Sequence, residues 1–243
     1  MRIDISPEEF DRLSNEKKKK YIAQLFIRKS GAKPVNSPQA PIAFVMAGLP
    51  GAGKTEFLDT ISEEVVARGF DPFVRIDLDE IVSVYPDYTP RDYYKFRSQG
   101  NLVLARTIDE SRHGRYNMLI DGTFSGLSGA SVKTVSQLLR DGYRLNMVYM
   151  YDSADSAWYY TKKRKLETGR SVDRDGFIRA VDSLTNNIRQ VVRQHDNNPL
   201  FSISAVVQKE LRDKKYHILT QKQDIDKIIN LDYNLDNIRK DVT

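Results

Sequence analysis

The chain has 243 residues and a mass of 27.9 kDa, enough for one domain with additions at roughly 150 residues per domain. Its 40% hydrophobic and 29% charged residues argue against wholesale disorder, and zero cysteines exclude a disulfide framework, a thiolate zinc site and a cysteine nucleophile. Net charge is +5 with a pI near 9.2, a balance that attracts anions without saying which kind.

The first residues, Met-Arg-Ile-Asp-Ile-Ser-Pro-Glu-Glu, turn acidic at once and hold no apolar region, so no secretory signal is expected. Ser6-Pro7-Glu8-Glu9 spells a capping box. A helical hairpin is expected next, with Tyr21, Ile22, Leu25 and Phe26 on one face. Lys17–Lys20 reads as a solvated helix face, with contact to a polyanion as the alternative. Ser30–Ala40 has linker composition. Residues 1–40 are therefore expected to be an N-terminal helical extension, and 41–243 the main domain with a helical C-terminal part.

Ile42–Ala47 is a continuous apolar run, the pattern of a strand buried on both faces. Pro41–Ala47, the longest such stretch, is far shorter than the ~20 residues that span a bilayer. No membrane contact is expected, and the cysteine-free composition fits a reducing, cytoplasmic compartment. Further strands are predicted at Phe73–Ile76, Tyr116–Ile120, Leu145–Met150 and Phe201–Val207. Helices are predicted over about 54–68, 91–113, 129–141, 154–168 and 175–195. This alternation implies an α/β fold with a mostly parallel sheet of about five strands. Sites in such sheets lie beyond the C-terminal strand ends, where Gly48, Asp77, Asp121 and Asp152 fall.

Gly48-Leu49-Pro50-Gly51-Ala52-Gly53-Lys54-Thr55 fits G-x-x-x-x-G-K-[ST] completely, between a buried-type strand and a helix. Its glycines let backbone N–H groups converge on phosphate oxygens at a helix N-terminus; Lys54 reaches the β- and γ-phosphates, and the Thr55 hydroxyl binds magnesium. The loop predicts nucleoside triphosphate binding, and with it a P-loop kinase-type three-layer sandwich. Several P-loop classes fail by omission. There is no Asn-Lys-x-Asp guanine reader and no strand ending in Asp-Glu, and Asp173-Arg174-Asp175-Gly176 mimics a GTPase motif only at a predicted helix start. A compact kinase remains, transferring the γ-phosphoryl group to a small acceptor. Such transfer needs a carboxylate to ready the attacking hydroxyl, and either Asp77 or Asp79 suits that role, with helix capping as the structural alternative. Asp121 suits magnesium, an acceptor hydroxyl or a simple turn. Lys162-Lys163-Arg164-Lys165 and Arg170 offer cations to close over the triphosphate, or a solvated face. Trp158 is expected in the core, and His113, His195 and His217 as structural or exposed.

Phe44–Thr55, Ile76–Asp79 with Tyr85-Pro86-Asp87-Tyr88, and Tyr116–Thr123 together resemble the zeta toxin family over about residues 40–180. Those are P-loop kinases of bacterial toxin–antitoxin systems, which use ATP and Mg²⁺ to phosphorylate the sugar 3′-hydroxyl of UDP-N-acetylglucosamine. The resemblance implies that Asp79 is the catalytic base, that Lys54, Arg164 and Arg170 bind the triphosphate, and that Asp77, Asp121 and Thr123 face the acceptor. It also implies a small helical antitoxin as partner. Two departures fall on the acceptor side: the family's acidic sugar-binding position aligns with Ala105, and Phe124-Ser125 follow the Gly-Thr pair. Two other functions compete: a kinase of nucleosides or nucleic-acid ends, and a regulatory nucleotide-binding module without acceptor chemistry.

Overall fold

The computed structural model describes residues 3–126, 129–169, 172–210 and 215–241. In chain order the elements begin with α1 (Pro7–Asp11), α2 (Asn15–Ser30), β1 (Ile42–Gly48), α3 (Lys54–Ala67), β2 (Val74–Asp77) and α4 (Leu78–Ser83). A 3₁₀ turn at Pro90–Asp92 leads into α5 (Tyr93–His113), β3 (Met118–Asp121), α6 (Ala130–Arg140), β4 (Arg144–Tyr151) and α7 (Ala154–Thr168). The chain closes with α8 (Arg174–His195), β5 (Phe201–Glu210), β6 (Lys215–Leu219), α9 (Lys222–Ile229) and α10 (Asp236–Lys240). The fold is α/β with a six-stranded, mostly parallel sheet. No helix among the described residues is long and apolar enough to cross a membrane.

The chain divides into two compact units, one made of the residues up to Ile42 with Asp59–Asp121, the other of Ala43–Leu58 with the chain from Gly122 onward. In the first, β2 and β3 pair in parallel, with Asp77 opposite Asp121 at the end of the ladder. The Ser6 capping box forms as expected, and Ser14 caps α2. Ile22, Ala23, Leu25 and Phe26 are buried, and α2 packs on α5 and β2. Lys18 pairs with Asp11 and lies 5.0 Å from the centre of the Phe10 ring, while Lys19 pairs with Glu16, so half of the lysine run is engaged within its own unit. Pro34 bridges Tyr116, and Asn117 Oδ1 accepts from Ile42 N at 2.7 Å. These two bonds explain a correction: Tyr116 and Asn117 hold the preceding segment and lie outside β3, which starts at Met118.

In the second unit the strand order is β1-β4-β5-β6, with β4 and β5 parallel and β6 antiparallel to β5. A side chain on Gly48 would meet the Met150 carbonyl at 2.7 Å, so only glycine lets the end of β1 lie this close to β4. Along α8, Phe177, Val181, Leu184, Ile188 and Val191 recur at steps of four and three and are all buried. Truncating one of them, as in Leu184→Ala, would cost about 2–5 kcal/mol. The mostly parallel sheet of about five strands is present as expected, with β6 added at its edge. On β6 both His217 and Ile218 are exposed, so burial alone does not mark these two neighbouring positions of the edge strand.

Candidate active site

The phosphate loop belongs to the second unit. Buried Leu49 and Ala52 anchor it, and Ala52 N donates to Leu49 O at 3.1 Å to close the turn. Gly51 sits at φ +84°, and a Cβ there would strike Ala157 O at 2.3 Å and Thr161 Oγ1 at 2.8 Å. Helix α7 thus presses its backbone directly against the loop. Lys54, the first residue of α3, is 9% exposed, and its Nζ donates to Gly48 O (3.1 Å) and Leu49 O (2.8 Å). Its ammonium group is folded over the loop it serves. Thr55 follows, half-buried in the first turn of α3.

Thr123 lies just past the other flank of the loop: its carbonyl accepts from Gly48 N at 3.3 Å, and its hydroxyl lies 2.6 Å from Ser125 Oγ. The next residue, Phe124, is buried and held at φ +58°, a strained backbone for a bulky side chain. Asn187 on α8 keeps it there, donating to Phe124 O (2.9 Å) and Gly126 O (3.1 Å). Sequence reasoning passed over Asn187. The available signal was an amide among Leu184, Ile188 and Val191 on the buried face of a helix.

Arg164 is exposed on α7, and Arg170 lies outside the described residues. Trp158 on α7 is a core residue, as expected, whereas Tyr159 beside it is exposed. Trp158 is 5% exposed, packs on Phe177 and donates Nε1–H to Asp241 at 2.8 Å. Lys162 Nζ meets the same carboxylate at 2.5 Å, and Arg174 donates to the Asp241 carbonyl at 3.0 Å. Asp152, at the end of β4, is buried; its Oδ1 accepts from Ser153 N, while Oδ2 has no hydrogen-bond partner. Burial pushes its carboxyl pKa up, against the pull of Ser156 and Ser153. Asp173 caps α8 by accepting from Gly176 N at 2.6 Å, so the GTPase-like motif is a helix start, as expected.

The first unit carries the carboxylates. Asp77 and Asp121 are buried side by side on the ladder. Asp77 is also the N-cap of α4, its Oδ1 accepting from Asp79 N at 2.8 Å. The short helix starts at Leu78, so Asp77 caps it while Asp79 stands in its first turn, half-buried. A carboxylate there is favoured by the helix dipole. Tyr93 lies near enough for the Asp77 charge to act on it; burial first, then that charge against Arg97, push the phenol up to about 12. Arg75 pairs with Asp59 and Glu80 behind the Asp77 strand end. Ala105 is exposed on α5, and the acids one turn on are paired along the helix, Glu110 with Arg106 and Asp109 with Arg112.

A Gly-rich loop of this form between a buried strand and a helix, in an α/β fold, defines a P-loop protein. The zeta toxin family model matches residues 28–221, and the chain belongs to that family. Toxin zeta of Streptococcus agalactiae is 30% identical over 119 residues, which make up 46% of this chain and 40% of that protein. The chain thus spans about two-fifths of the length of the curated relatives it matches. A chain of the PezAT chromosomal toxin–antitoxin system of the human pathogen Streptococcus pneumoniae superposes with a TM-score of 0.59 at 19% identity, covering 95% of this chain and 90% of that one. AvrRxo1-ORF1:-ORF2 with ATP gives 0.56 at 11% identity, covering 93% and 72%. At these identities the structural likeness is one of fold.

Proposed function

We propose that this protein is an ATP-dependent kinase that transfers the γ-phosphoryl group to a hydroxyl of a nucleotide sugar of the UDP-N-acetylglucosamine kind, in the cytoplasm, as the toxin of a toxin–antitoxin pair. The observation that carries the reading is the complete loop Gly48–Thr55 at the head of α3, with the Lys54 ammonium gathered over its carbonyls. A triphosphate suits that cradle: Gly51 lets α7 close against the loop, and the first turn of a 14-residue helix supplies N–H groups and dipole. On binding, Lys54 would exchange the carbonyls of Gly48 and Leu49 for phosphate oxygens. Magnesium suits the donor set as well, since it takes one or two protein oxygens, here the Thr55 hydroxyl, and completes its shell with phosphates and water.

In this reading Asp79 accepts the proton of the acceptor hydroxyl as its oxygen bonds to the γ-phosphorus and the bond to the β,γ-bridging oxygen breaks. Asp77 holds the α4 turn that presents Asp79, while Asp121 and Thr123 face the acceptor. Arg164 and Arg170 offset charge spreading onto the transferred group. Membership of the zeta toxin family supports the kinase reading, and the fold-similar AvrRxo1 complex was solved with ATP. A small helical antitoxin is the proposed partner. The test is to incubate the protein with γ-labelled ATP, Mg²⁺ and a panel of nucleotide sugars, nucleosides and oligonucleotides. Label on a UDP-amino sugar supports the reading; label on an oligonucleotide end, or on none of them, contradicts it.

A further inference from the structure

The function proposed above uses α7 only for its arginine, yet the tightest approach to the phosphate loop comes from a different residue of that helix. Thr161 is 5% exposed, and its hydroxyl lies 2.9 Å from Ala157 O and 3.0 Å from Pro50 O. A helical threonine ordinarily spends its proton on the carbonyl four residues back. Here the same proton also reaches the phosphate loop. The adjoining loop residue is Gly51, with no space for a Cβ against Ala157 and Thr161, so loop and helix are in backbone contact at this point. One turn earlier Trp158, and one residue later Lys162, are both fastened to Asp241. The helix is therefore held from behind and has a single side-chain hydrogen bond forward, from Thr161 to the loop, among the contacts described. Three residues on stands Arg164.

We infer that Thr161 is a positioning residue: its hydroxyl fixes the register of α7 against the phosphate loop, and so sets both the shape of the loop around Pro50 and the reach of Arg164. The inference rests on reading Gly48–Thr55 as the ATP site. Without the hydroxyl, the Pro50 carbonyl loses this donor and the loop is freer to leave its phosphate-ready shape.

The test compares Thr161→Val, which keeps shape and loses the hydroxyl, with Thr161→Ser, which keeps the hydroxyl. Thr107→Val serves as a control, because Thr107 is also buried and its hydroxyl bonds only back to Val103 O within α5, among the hydrogen bonds described. MgATP affinity is measured by calorimetry and melting temperature in parallel. Thr161→Val is expected to bind MgATP about fivefold more weakly, the worth of one neutral hydrogen bond. Thr161→Ser should recover wild-type affinity within about twofold, well inside that same hydrogen-bond worth. Thr107→Val should lower the melting temperature while leaving affinity unchanged. Should Thr161→Val not fold, Thr161→Ala, a better helix former, carries the same expectation. Equal affinity in wild type and in the variant lacking the hydroxyl overturns the inference alone. A wild type that does not bind MgATP overturns the ATP reading beneath it.

Discussion

The two units read very differently as sequence. In the second, eight contiguous residues, Gly48–Thr55, form the whole phosphate loop, and the bonds that shape it from within, such as Lys54 to Gly48 and Leu49, are local. In the first, Asp77, Asp79 and Asp121 come from a strand end, a helix turn and a second strand end, and only the β2–β3 register brings Asp77 and Asp121 together. A nucleotide grip can be written in one motif because the same phosphates are always bound. On the proposed reading the acceptor side is assembled from separate elements, and the departures from the family pattern fall on α5, at Ala105, and after β3, at Phe124-Ser125.

The sharpest way to break this contrast is at Lys54. Lys54→Ala is expected to abolish ATP turnover, with binding weakened by about two orders of magnitude or more, since a charge-assisted contact and loop order are lost together. Retained turnover in a coupled ATP assay would refute the loop assignment. Asp79→Asn separates the two sides: transfer should fall by about 10²–10⁴, the usual worth of a general base, while MgATP affinity stays near wild type. Collapse of nucleotide binding with transfer would move Asp79 to the metal or structural shell. A smaller effect is expected at Asn187→Ala, which strips the buried Phe124 carbonyl and the Gly126 carbonyl of their donor and should cost about 1–3 kcal/mol in denaturant unfolding. An unchanged midpoint would mean that the Phe124 turn needs no such support.

The smallest effect concerns Asp152. Its carboxyl pKa is raised by burial, so the ionised form is less favourable in the folded chain than in the unfolded one. That handicap is present above the folded-state pKa and disappears as pH falls below the ordinary value of 3.8. Asp152→Asn should therefore melt higher than wild type at neutral pH, and the gap should close on acidification. A gap that widened toward low pH would show that the carboxylate is stabilised where it stands.

The strands and helices legible in advance are those whose burial imposes a period. Ile42–Ala47 is an unbroken apolar run and Leu145–Met150 one interrupted only at Asn146, and the bounds of α7 match expectation because Ser153 and Gly169 cap it. What escaped is what periodicity does not encode. Strand β6 is an edge strand, Tyr116 bridges Pro34 while the Asn117 side chain holds Ile42 N, and Asn187 matters through two backbone carbonyls more than sixty residues away. On the site, the loop and the aspartates were legible as residue types at strand ends. Asp77 being both cap and ladder partner of Asp121 was not, because that requires the register.

The most direct measurement follows the phosphorus itself. Wild type and Asp79→Asn are each given γ-labelled ATP, Mg²⁺ and UDP-N-acetylglucosamine, and the products are separated by chromatography. Wild type is expected to move label onto the sugar hydroxyl, and Asp79→Asn to bind ATP yet leave the sugar bare. Label released only as inorganic phosphate, or equal labelling by the two proteins, would contradict the account.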